Sequence, residues 1–575
     1  MPFSLRSERT RPWAWPALAG LLALAASIGG LLNRFVQDDI PIIWKNPAMY
    51  DLRDLGDHFL KSYWPPPFIP ALYRPFASVS FALQWAAGGG SPMAFRIVSY
   101  LLYVAVTIGV FKVARIRLRS ELAFATAALF AVHPMHVEAV AVAVNQSELW
   151  VALIACIMVV KYVRLRAPGG AFSTGNHLLF AGLYLTACLF KESALVIPGL
   201  LLAAEVLLVE SQESLRTRIV QGRRLLLLLM MVALAFFWVR TRVLSGSLLG
   251  TFVAEAMVGL TMWERVLTML AVVPEWFRLL LWPAQLKADY GPGELVGHTV
   301  WGPMQTLGVL LLVSATALAA AAWRRAPVVA FGLVWCAVGL FPVHNVLAPT
   351  GILLAERTLF LPSIGAMIAL GGIAAWVLDR VGGSVARLVA VTGAVLTAVG
   401  IYRSNVRHQV WSDQFTLWYH TANVDAPKSF RAHEALAETY FDIGVERMAE
   451  REYRLAIQYA PRTLTRPTLE YAERLRSRGF CFRASELYRK VLEVHPEHLP
   501  ARASLIACLL DLGYYDQAVY QARMGVTFDW ERSAFQLALA TADSARRVHA
   551  PPGTVRVAVP SGFNTRSHMM IFDKK

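Results

Sequence analysis

The stretch "WAWPALAGLLALAASIGGLLNRFVQDDIPII", residues 13 to 43, joins an apolar run to two adjacent carboxylates, Asp38 and Asp39. A membrane-spanning helix needs about 20 mostly apolar residues, and this run supplies them. It is too long for the apolar region of a signal peptide, and no clear cleavage site follows it. We therefore predict an uncleaved first span, with an acid pair where the span meets water.

The composition extends this prediction to the whole chain. Of the 575 residues, 56% are hydrophobic and 16% are charged, and the mean hydropathy is +0.47. These values are typical of a polytopic membrane protein. The net charge of +16 comes from short arginine clusters between apolar runs, which indicates membrane topology and argues against nucleic-acid binding. The five cysteines lie in apolar or helical stretches, so we interpret them as small core residues and not as a disulfide framework.

The apolar runs predict about eleven spans and a cytoplasmic N-terminus. The candidates lie near 13–33, 93–113, 121–141, 149–163, 177–190, 194–210, 225–243, 303–323, 327–345, 359–378 and 385–402. Residues 264–283 are also long enough, but Pro274, Glu275 and Arg278 would lie in mid-membrane, so we interpret them as an in-plane or re-entrant helix. The basic loops then fall on the cytoplasmic side at every turn.

This topology collects the unusual polar residues on the extracytoplasmic face. They are Asp38, Asp39, His133, His136, Glu138, Lys191, Glu192, Arg240, Arg242, Asp289, His344, Glu356 and Arg357. A random scatter would divide them between the two faces. A transporter is disfavoured, since its charged residues would line a path at the membrane midplane.

After residue 402 the apolar runs stop and a period of 34 to 35 residues begins. It is marked by three sets of landmarks: Pro427, Pro461 and Pro496; Gly444, Gly479 and Gly513; Ala449, Ala484 and Ala518. This period is typical of tetratricopeptide repeats, in which each helix hairpin buries its apolar face against the next. We predict an all-α chain with a membrane domain at 1–402, about three repeats with a capping helix at 403–545, and a tail at 546–575. Such repeats are most often plain interaction scaffolds.

The order of several motifs resembles a known family. In chain order they are "FVQDDIPIIWKNP", "YRPFASVSFALQW", "HPMHVEAVAVAVNQSELW", "KES", "LLLWPAQLKADYG" and "AERTLFLPSIG", followed by the repeats. This order is similar to that of the transmembrane and tetratricopeptide-repeat-containing protein O-mannosyltransferases and their bacterial relatives. The resemblance covers nearly the whole chain, but "NQSELW" keeps the family pattern only in part, which leaves the acceptor open.

The resemblance implies a GT-C glycosyltransferase fold and a polyprenyl-phosphate-linked sugar donor, with mannose passing to protein Ser or Thr on the extracytoplasmic side. Composition and topology predict an integral protein of the bacterial inner membrane with periplasmic repeats, with membrane lipid as a partner and no nucleic acid. The repeats are predicted to hold the acceptor protein or peptide. Two alternatives stay open: a GT-C enzyme that glycosylates a lipid or polysaccharide, and a non-enzymatic membrane scaffold that acts through its repeats.

Transfer from a lipid-linked phosphate needs a base for the acceptor hydroxyl and positive groups for the leaving phosphate. Asp38 and Asp39 are the predicted catalytic carboxylates, with Asp38 as base and Asp39 as its partner. Two adjacent like charges raise one pKa toward a useful range. The structural alternative is a helix cap after the first span. A divalent metal at this pair is left open, and no other cofactor is predicted.

The predicted phosphate-binding residues are Arg74, His133, His136, Lys191 and Arg357. The two arginines are the strongest candidates because a guanidinium matches phosphate in a fork geometry. The spacing in "HPMHVE" lacks the zinc pattern of metalloproteases, so the histidines are predicted to handle protons or contact phosphate, with interfacial packing as the alternative. Lys191 and Glu192 could equally form an ion pair in a solvated turn. Secondary acidic candidates are Glu138, Glu192, Asp289 and Glu356, and turn capping is the ordinary role of Asp289.

Overall fold

A computed structural model describes residues 13–66, 68, 72–167, 172–244, 253–381, 383–528, 532–555 and 557. The chain divides into two compact units. The first comprises residues 1–65, 70–288 and 297–420, and the second comprises 66–69, 289–296 and 421–575. Within the described residues, every regular element is a helix, which agrees with the predicted all-α class. The predicted domain boundaries at 402 and 545 stay predictions.

The first unit is a bundle of helices joined by short 3₁₀ turns. Its helices are α1 Ala14–Ser27, α2 Pro75–Gly88, α3 Pro92–Ala114, α4 Ser120–Ala131, α5 Val137–Ala141, α6 Gln146–Arg166, α7 Thr174–Phe190, α8 Ile197–Leu207, α9 Leu215–Val243, α10 Met262–Leu281, α11 Pro303–Arg325, α12 Pro327–Leu340, α13 Phe360–Leu378, α14 Gly383–Val410 and α15 Gln414–His420. Several begin with proline, which suits a first turn whose N–H groups have no partner within the helix.

Five described helices are long and apolar enough to cross a membrane, and a bent pair would make a sixth. The five are Pro92–Ala114, Leu215–Val243, Pro303–Arg325, Glu356–Leu378 and Ser384–Val410. Shorter apolar helices cover Ala14–Gly30, Thr174–Phe190 and Pro327–Val343. The chain is therefore a membrane protein. The count of about eleven spans stays a prediction, since several predicted spans coincide with these shorter helices.

The predicted span at 121–141 is not one continuous helix. It is two helices, α4 and α5, that meet at an angle of 51°. Pro134 causes the break, because a prolyl ring lacks an N–H donor and disfavours helical geometry in the preceding residue. His133 accordingly has an extended backbone, with φ −71° and ψ 115°. The carbonyl that the break frees at Val132 accepts a hydrogen bond from the hydroxyl of Ser404.

The segment predicted to lie in the membrane plane forms α10. A capping box at Thr261 and Glu264 fixes its start. Glu275 and Arg278 form an ion pair one turn apart, with both side chains partly exposed. This helix is not among the membrane-capable helices of the described residues, and its in-plane orientation stays a prediction.

The second unit contains helix hairpins at the predicted period. Its helices are α16 Phe430–Asp442, α17 Glu446–Tyr459, α18 Arg466–Ser477, α19 Cys481–Val494, α20 Leu499–Asp511, α21 Tyr515–Phe528 and α22 Arg532–Arg547. The landmark glycines lie in three hairpin turns with φ of +76° to +82°, a conformation that L side chains rarely adopt. The landmark alanines are buried. The hairpins are as predicted, and their assignment as tetratricopeptide repeats stays a prediction.

Candidate active site

The acid pair lies in a loop held by the last helices of the first unit. The N–H of Arg34 donates to the carbonyl of Ser412 at 2.8 Å. The N–H of Gln37 donates to the Oε1 of Gln414 at 3.0 Å. Gln37 also has a φ of +48°. This left-handed backbone conformation is strained for any residue except glycine, and it persists only where the surrounding contacts hold it. The backbone directly before Asp38 is thus fixed on both sides.

Asp39 is fully buried and has its partners within the fold. Its two carboxylate oxygens accept the N–H groups of Val144 at 2.9 Å and Ala143 at 3.1 Å. The guanidinium of Arg96, also fully buried, lies 3.5 Å from one of these oxygens. Burial raises the pKa of Asp39 to about 6, although Arg96 and the two N–H groups lower it. Asp39 therefore fixes the loop against α3 and the turn before α6.

Asp38 has the opposite environment. Its side chain is half-buried, and the carboxylate makes no hydrogen bond or ion pair with the part of the chain that the structure describes. It interacts electrostatically with Arg357 and Tyr63. A carboxylate without hydrogen-bond partners can accept a proton from a third group, whereas both oxygens of Asp39 are already engaged.

Arg357 is held by Glu138, one of the predicted secondary acids. Glu138 is 1% exposed, and its carboxylate accepts both the backbone N–H of Arg357, at 2.8 Å, and the guanidinium. Asn145 donates to the Glu138 carbonyl at 3.0 Å. Because both oxygens of Glu138 are engaged, this residue orients Arg357 and is poorly placed to act as a base itself.

Two further cation–carboxylate pairs continue the cluster. The guanidinium of Arg74 makes a two-pronged contact with Glu192, at 2.9 and 3.1 Å. Lys191 pairs with Glu148, a nearly buried acid at the start of α6. Glu148 interacts electrostatically with Arg357, Arg74 and Lys191 alike. These side chains thus form one electrostatic cluster within the first unit.

The pKa shifts in this cluster follow from pairing. Burial alone would raise the pKa of Glu192, but the Arg74 guanidinium outweighs it and lowers that pKa to about 2. Burial lowers the pKa of Lys191, and the Glu148 carboxylate partly opposes the change. The predicted ion pair between Lys191 and Glu192 is not formed, because Lys191 pairs with Glu148 and Glu192 pairs with Arg74. The cations still have N–H donors beyond those that these pairs use, and their role in phosphate binding stays a prediction.

The two histidines differ in how fully they are engaged. His136 contacts the hydroxyl of Tyr103 through Nδ1 at 3.0 Å and that of Ser363 through Nε2 at 2.8 Å. It packs among aromatic rings, as the packing alternative expects. His133 contacts the carbonyl of Leu280 through Nε2 at 3.2 Å. Its buried Nδ1 has no partner among the described residues.

The remaining acidic candidates have structural partners. Glu356 is 1% exposed and accepts the backbone N–H of Lys287 at 2.6 Å. Asp289 belongs to the second unit. There it accepts hydrogen bonds from the Ser429 hydroxyl at 2.7 Å and from Arg431 at 2.9 Å. Burial favours its neutral form, but Arg431 and the hydroxyl outweigh burial and lower its pKa.

Among the described residues, the side chains that could bind a metal ion are not grouped around one point. No group of three or more His, Cys, Asp or Glu side chains is placed to hold a metal ion within the described ranges. At the acid pair, both oxygens of Asp39 already accept backbone N–H groups.

Two residues of the cluster were missed by sequence reasoning. Arg96 is a fully buried arginine in an apolar helix, and Glu148 lies within the motif "NQSELW". Both had a usable signal, since a charge near the end of a membrane helix needs a partner. The sequence does not identify the partners, because Asp39, the partner of Arg96, and Lys191, the partner of Glu148, lie far away along the chain.

Comparison with known proteins finds relatives with a common description. Protein O-mannosyl-transferase Tmtc1 of Drosophila melanogaster is 26% identical over 511 residues, covering 72% of this chain and 58% of the relative. Protein O-mannosyl-transferase TMTC3 of Mus musculus is 23% identical over 561 residues, covering 83% and 60%. The chain is a homologue of these proteins.

Protein O-mannosyl-transferase TMTC1 of Homo sapiens, 24% identical over 538 residues, has the same description. The resemblance predicted from the ordered motifs is therefore confirmed. No protein-family model matches the chain. The chain spans 58 to 60% of the length of these three relatives. The catalytic and phosphate-binding assignments of individual residues stay predictions.

Proposed function

We propose that this chain is a membrane glycosyltransferase that moves mannose from a polyprenyl-phosphate donor to Ser or Thr hydroxyls of a protein. The observation that carries the proposal is Asp38, a half-buried carboxylate with no hydrogen bond or ion pair to the described residues, which interacts electrostatically with Arg357 in a cluster of paired charges. The relatives are protein O-mannosyl-transferases by name, which supports mannose as the sugar and protein as the acceptor.

In the proposed reaction Asp38 is the general base. The acceptor hydroxyl oxygen attacks the anomeric carbon of the sugar, and the bond from that carbon to the phosphate oxygen breaks. The hydroxyl proton passes to the Asp38 carboxylate, and the leaving lipid phosphate keeps the bonding electron pair. Asp39 contributes by positioning, because its contacts to Arg96, Ala143 and Val144 fix the loop that presents Asp38.

Arg357, Arg74 and Lys191 are the proposed phosphate-binding residues. Each is already oriented by a carboxylate, respectively Glu138, Glu192 and Glu148. A positive group held in place before the reaction stabilises developing negative charge without reorganising. The pairing also keeps the empty site close to neutral, so that buried cations are not left uncompensated.

The wider setting is part of the same proposal. We place the acid loop and the second unit on the extracytoplasmic side of a bacterial inner membrane, and the membrane region in the GT-C class. The hairpins of the second unit bind an extended acceptor segment, because stacked helix hairpins form concave surfaces suited to such chains. The basic loops between apolar runs support the orientation.

The test is Asp38→Asn in the full chain, assayed in membranes with radiolabelled polyprenyl-phosphate mannose and a Ser/Thr-rich acceptor peptide. Loss of a general base typically costs about 10²–10⁴-fold in rate, and we expect a loss in that range with the protein level and thermal stability unchanged. The matched control is Asp54→Asn, which removes the same charge from an exposed acid in the same connecting segment and should retain full activity.

Wild-type transfer by Asp38→Asn would remove this residue from the mechanism. Transfer by neither wild type nor variant, while the donor still binds, would contradict protein as the acceptor. Replacing the peptide with a lipid or polysaccharide acceptor then separates the remaining enzymatic alternative from a scaffold.

A further inference from the structure

An apolar groove lies between α3 and α6, away from the acid loop. It has a volume of about 530 Å³, within the range of about 300–1,000 Å³ that small-molecule sites occupy. Residues spaced three or four apart along α3 form one wall, and residues with the same spacing along α6 form the other. The lining residues are Ala105, Ile108, Gly109, Lys112, Leu153, Cys156, Ile157, Val160, Lys161, Arg164 and Leu165.

Three cations lie at one end of this groove: Lys112, Lys161 and Arg164. None of their side chains makes a hydrogen bond or ion pair with the described residues. The rest of the lining is apolar. Gly109 lets the two helices approach closely within the groove, where an added Cβ would meet Cys156 at 2.9 Å. The groove therefore joins an apolar slot to a cluster of uncompensated positive charge.

Neighbouring cations at the same end of the bundle are compensated. Arg166 makes a two-pronged contact with Glu205, at 2.9 Å for each prong, and Arg218 contacts the same carboxylate. Arg117 pairs with Glu210. Acids are thus available nearby, yet no acid in the described part of the chain pairs with the three groove cations.

The groove is distinct from the candidate active site. Arg96 and Lys112 are sixteen residues apart on α3, which is about 24 Å along a helix axis. Glu148 and Lys161 are thirteen residues apart on α6, or about 20 Å. The acid loop lies at the start of these helices, and the groove cations lie toward their other end.

We propose that this groove binds one anionic glycerophospholipid, with its phosphate on Lys112, Lys161 and Arg164 and one acyl chain along the apolar walls. Charge complementarity favours an anionic headgroup, because basic pockets between membrane helices recognise acidic lipids. The apolar walls favour an acyl chain over a free phosphate. The lipid is drawn from the leaflet next to the basic loops, which is the cytoplasmic leaflet in the predicted topology.

The test measures lipid retention by native mass spectrometry of the full chain, purified in detergent and mixed with phosphatidylglycerol or phosphatidylcholine. Wild type should retain phosphatidylglycerol in preference. The triple variant Lys112→Gln, Lys161→Gln, Arg164→Gln should lose roughly 100-fold in affinity, taking about fivefold for each cation. The matched control is Arg216→Gln, Arg223→Gln, Arg224→Gln, which removes three charges from α9 and should bind as wild type does.

A second variant tests the slot without changing charge. Ala105→Phe fills the apolar wall and should weaken phosphatidylglycerol binding while the three cations remain. Inorganic phosphate at millimolar concentration should not displace the lipid. Equal retention of phosphatidylcholine, displacement by phosphate alone, or unchanged binding by both the triple variant and Ala105→Phe would each overturn the proposal. None of these readouts depends on sugar transfer.

Discussion

The buried charges at the start of α3 and α6 differ from two lysines toward their other end. At their start, Arg96 and Glu148 are buried, and each has a partner of opposite charge. Toward their other end, Lys112 and Lys161 have no such partner among the described residues. The difference follows from solvent access, since a buried charge is costly unless it is paired and a charge that reaches water is not. It implies that the first end fixes geometry, while the second leaves charge available to a ligand.

The largest expected effect comes from breaking the buried pair. Asp39→Ala leaves the Arg96 guanidinium and two backbone N–H groups without their carboxylate, and removing one partner of a buried pair typically costs about 3–5 kcal/mol. We expect a fall of this size in the free energy of unfolding, measured by SDS titration in mixed micelles. The matched control is Asp38→Ala, which removes the adjacent, unpartnered carboxylate and should cost far less.

Equal losses in these two variants would abolish the distinction between the aspartates. The double variant Asp39→Leu, Arg96→Met sharpens it further. An apolar pair of similar volume often replaces a buried ion pair at little cost, so this variant should recover most of the stability that Asp39→Ala loses.

The second expected effect is a pH dependence at the same residue. Burial raises the pKa of Asp39 from its usual 3.8 to about 6 in the fold. Between these values the folded state binds more protons than the unfolded state, so the free energy of unfolding should fall as pH rises from about 4 to about 6. At 1.36 kcal/mol per pKa unit, the change is on the order of 3 kcal/mol.

Unfolding of wild type and Asp39→Asn, measured from pH 4 to pH 7, isolates this contribution as the difference between the two curves. Glu192 has the opposite sign, because its pKa of about 2 gives stability that is lost only as pH falls below about 4.5. A difference curve that was flat above pH 4.5 would show that Asp39 titrates at its ordinary pKa.

The smallest expected effects lie at the other end of the helices. Arg166→Gln removes a two-pronged contact with the nearly buried Glu205, and hydrogen bonds to charged groups contribute about 1.5–3 kcal/mol. Lys161→Gln, five residues earlier on the same helix, removes an unpaired charge and should stay within about 0.5 kcal/mol of wild type. A larger loss for Lys161→Gln than for Arg166→Gln in the same titration would reverse the comparison.

Much of the architecture could be predicted from the sequence. Apolar runs and arginine clusters are local signals, so they identify a helical membrane protein without knowledge of contacts. The hairpin turns were equally readable, because Gly444 and Gly479 are required by their positive φ alone: nothing lies within 4 Å of an added Cβ at either position. A glycine that recurs at the repeat period therefore indicates a turn with positive φ at that position.

Sequence patterns do not distinguish the environments of the two acids in the pair. Asp38 and Asp39 are adjacent and chemically identical, so no local pattern separates a partnered carboxylate from an unpartnered one. The difference arises from Arg96 and from the turn at Ala143 and Val144, about 57 and 104 residues along the chain from Asp39. The adjacency predicted the acid pair, and the packing shows which of the two carboxylates has partners. The catalytic roles of both residues stay predictions.

The break between α4 and α5 has a consequence for how homologues vary. The carbonyl of Val132, which the break leaves without a helical partner, faces α14. There an added Cβ at Gly400 would lie 2.7 Å from the carbonyl oxygen, and Ser404 supplies its hydrogen bond. While Pro134 remains, we expect only glycine at position 400, because any side chain would clash with the Val132 carbonyl. At position 404 we expect only small residues with a hydroxyl group. Positions 134, 400 and 404 should therefore covary among homologues, although about 270 residues of sequence separate the first from the last.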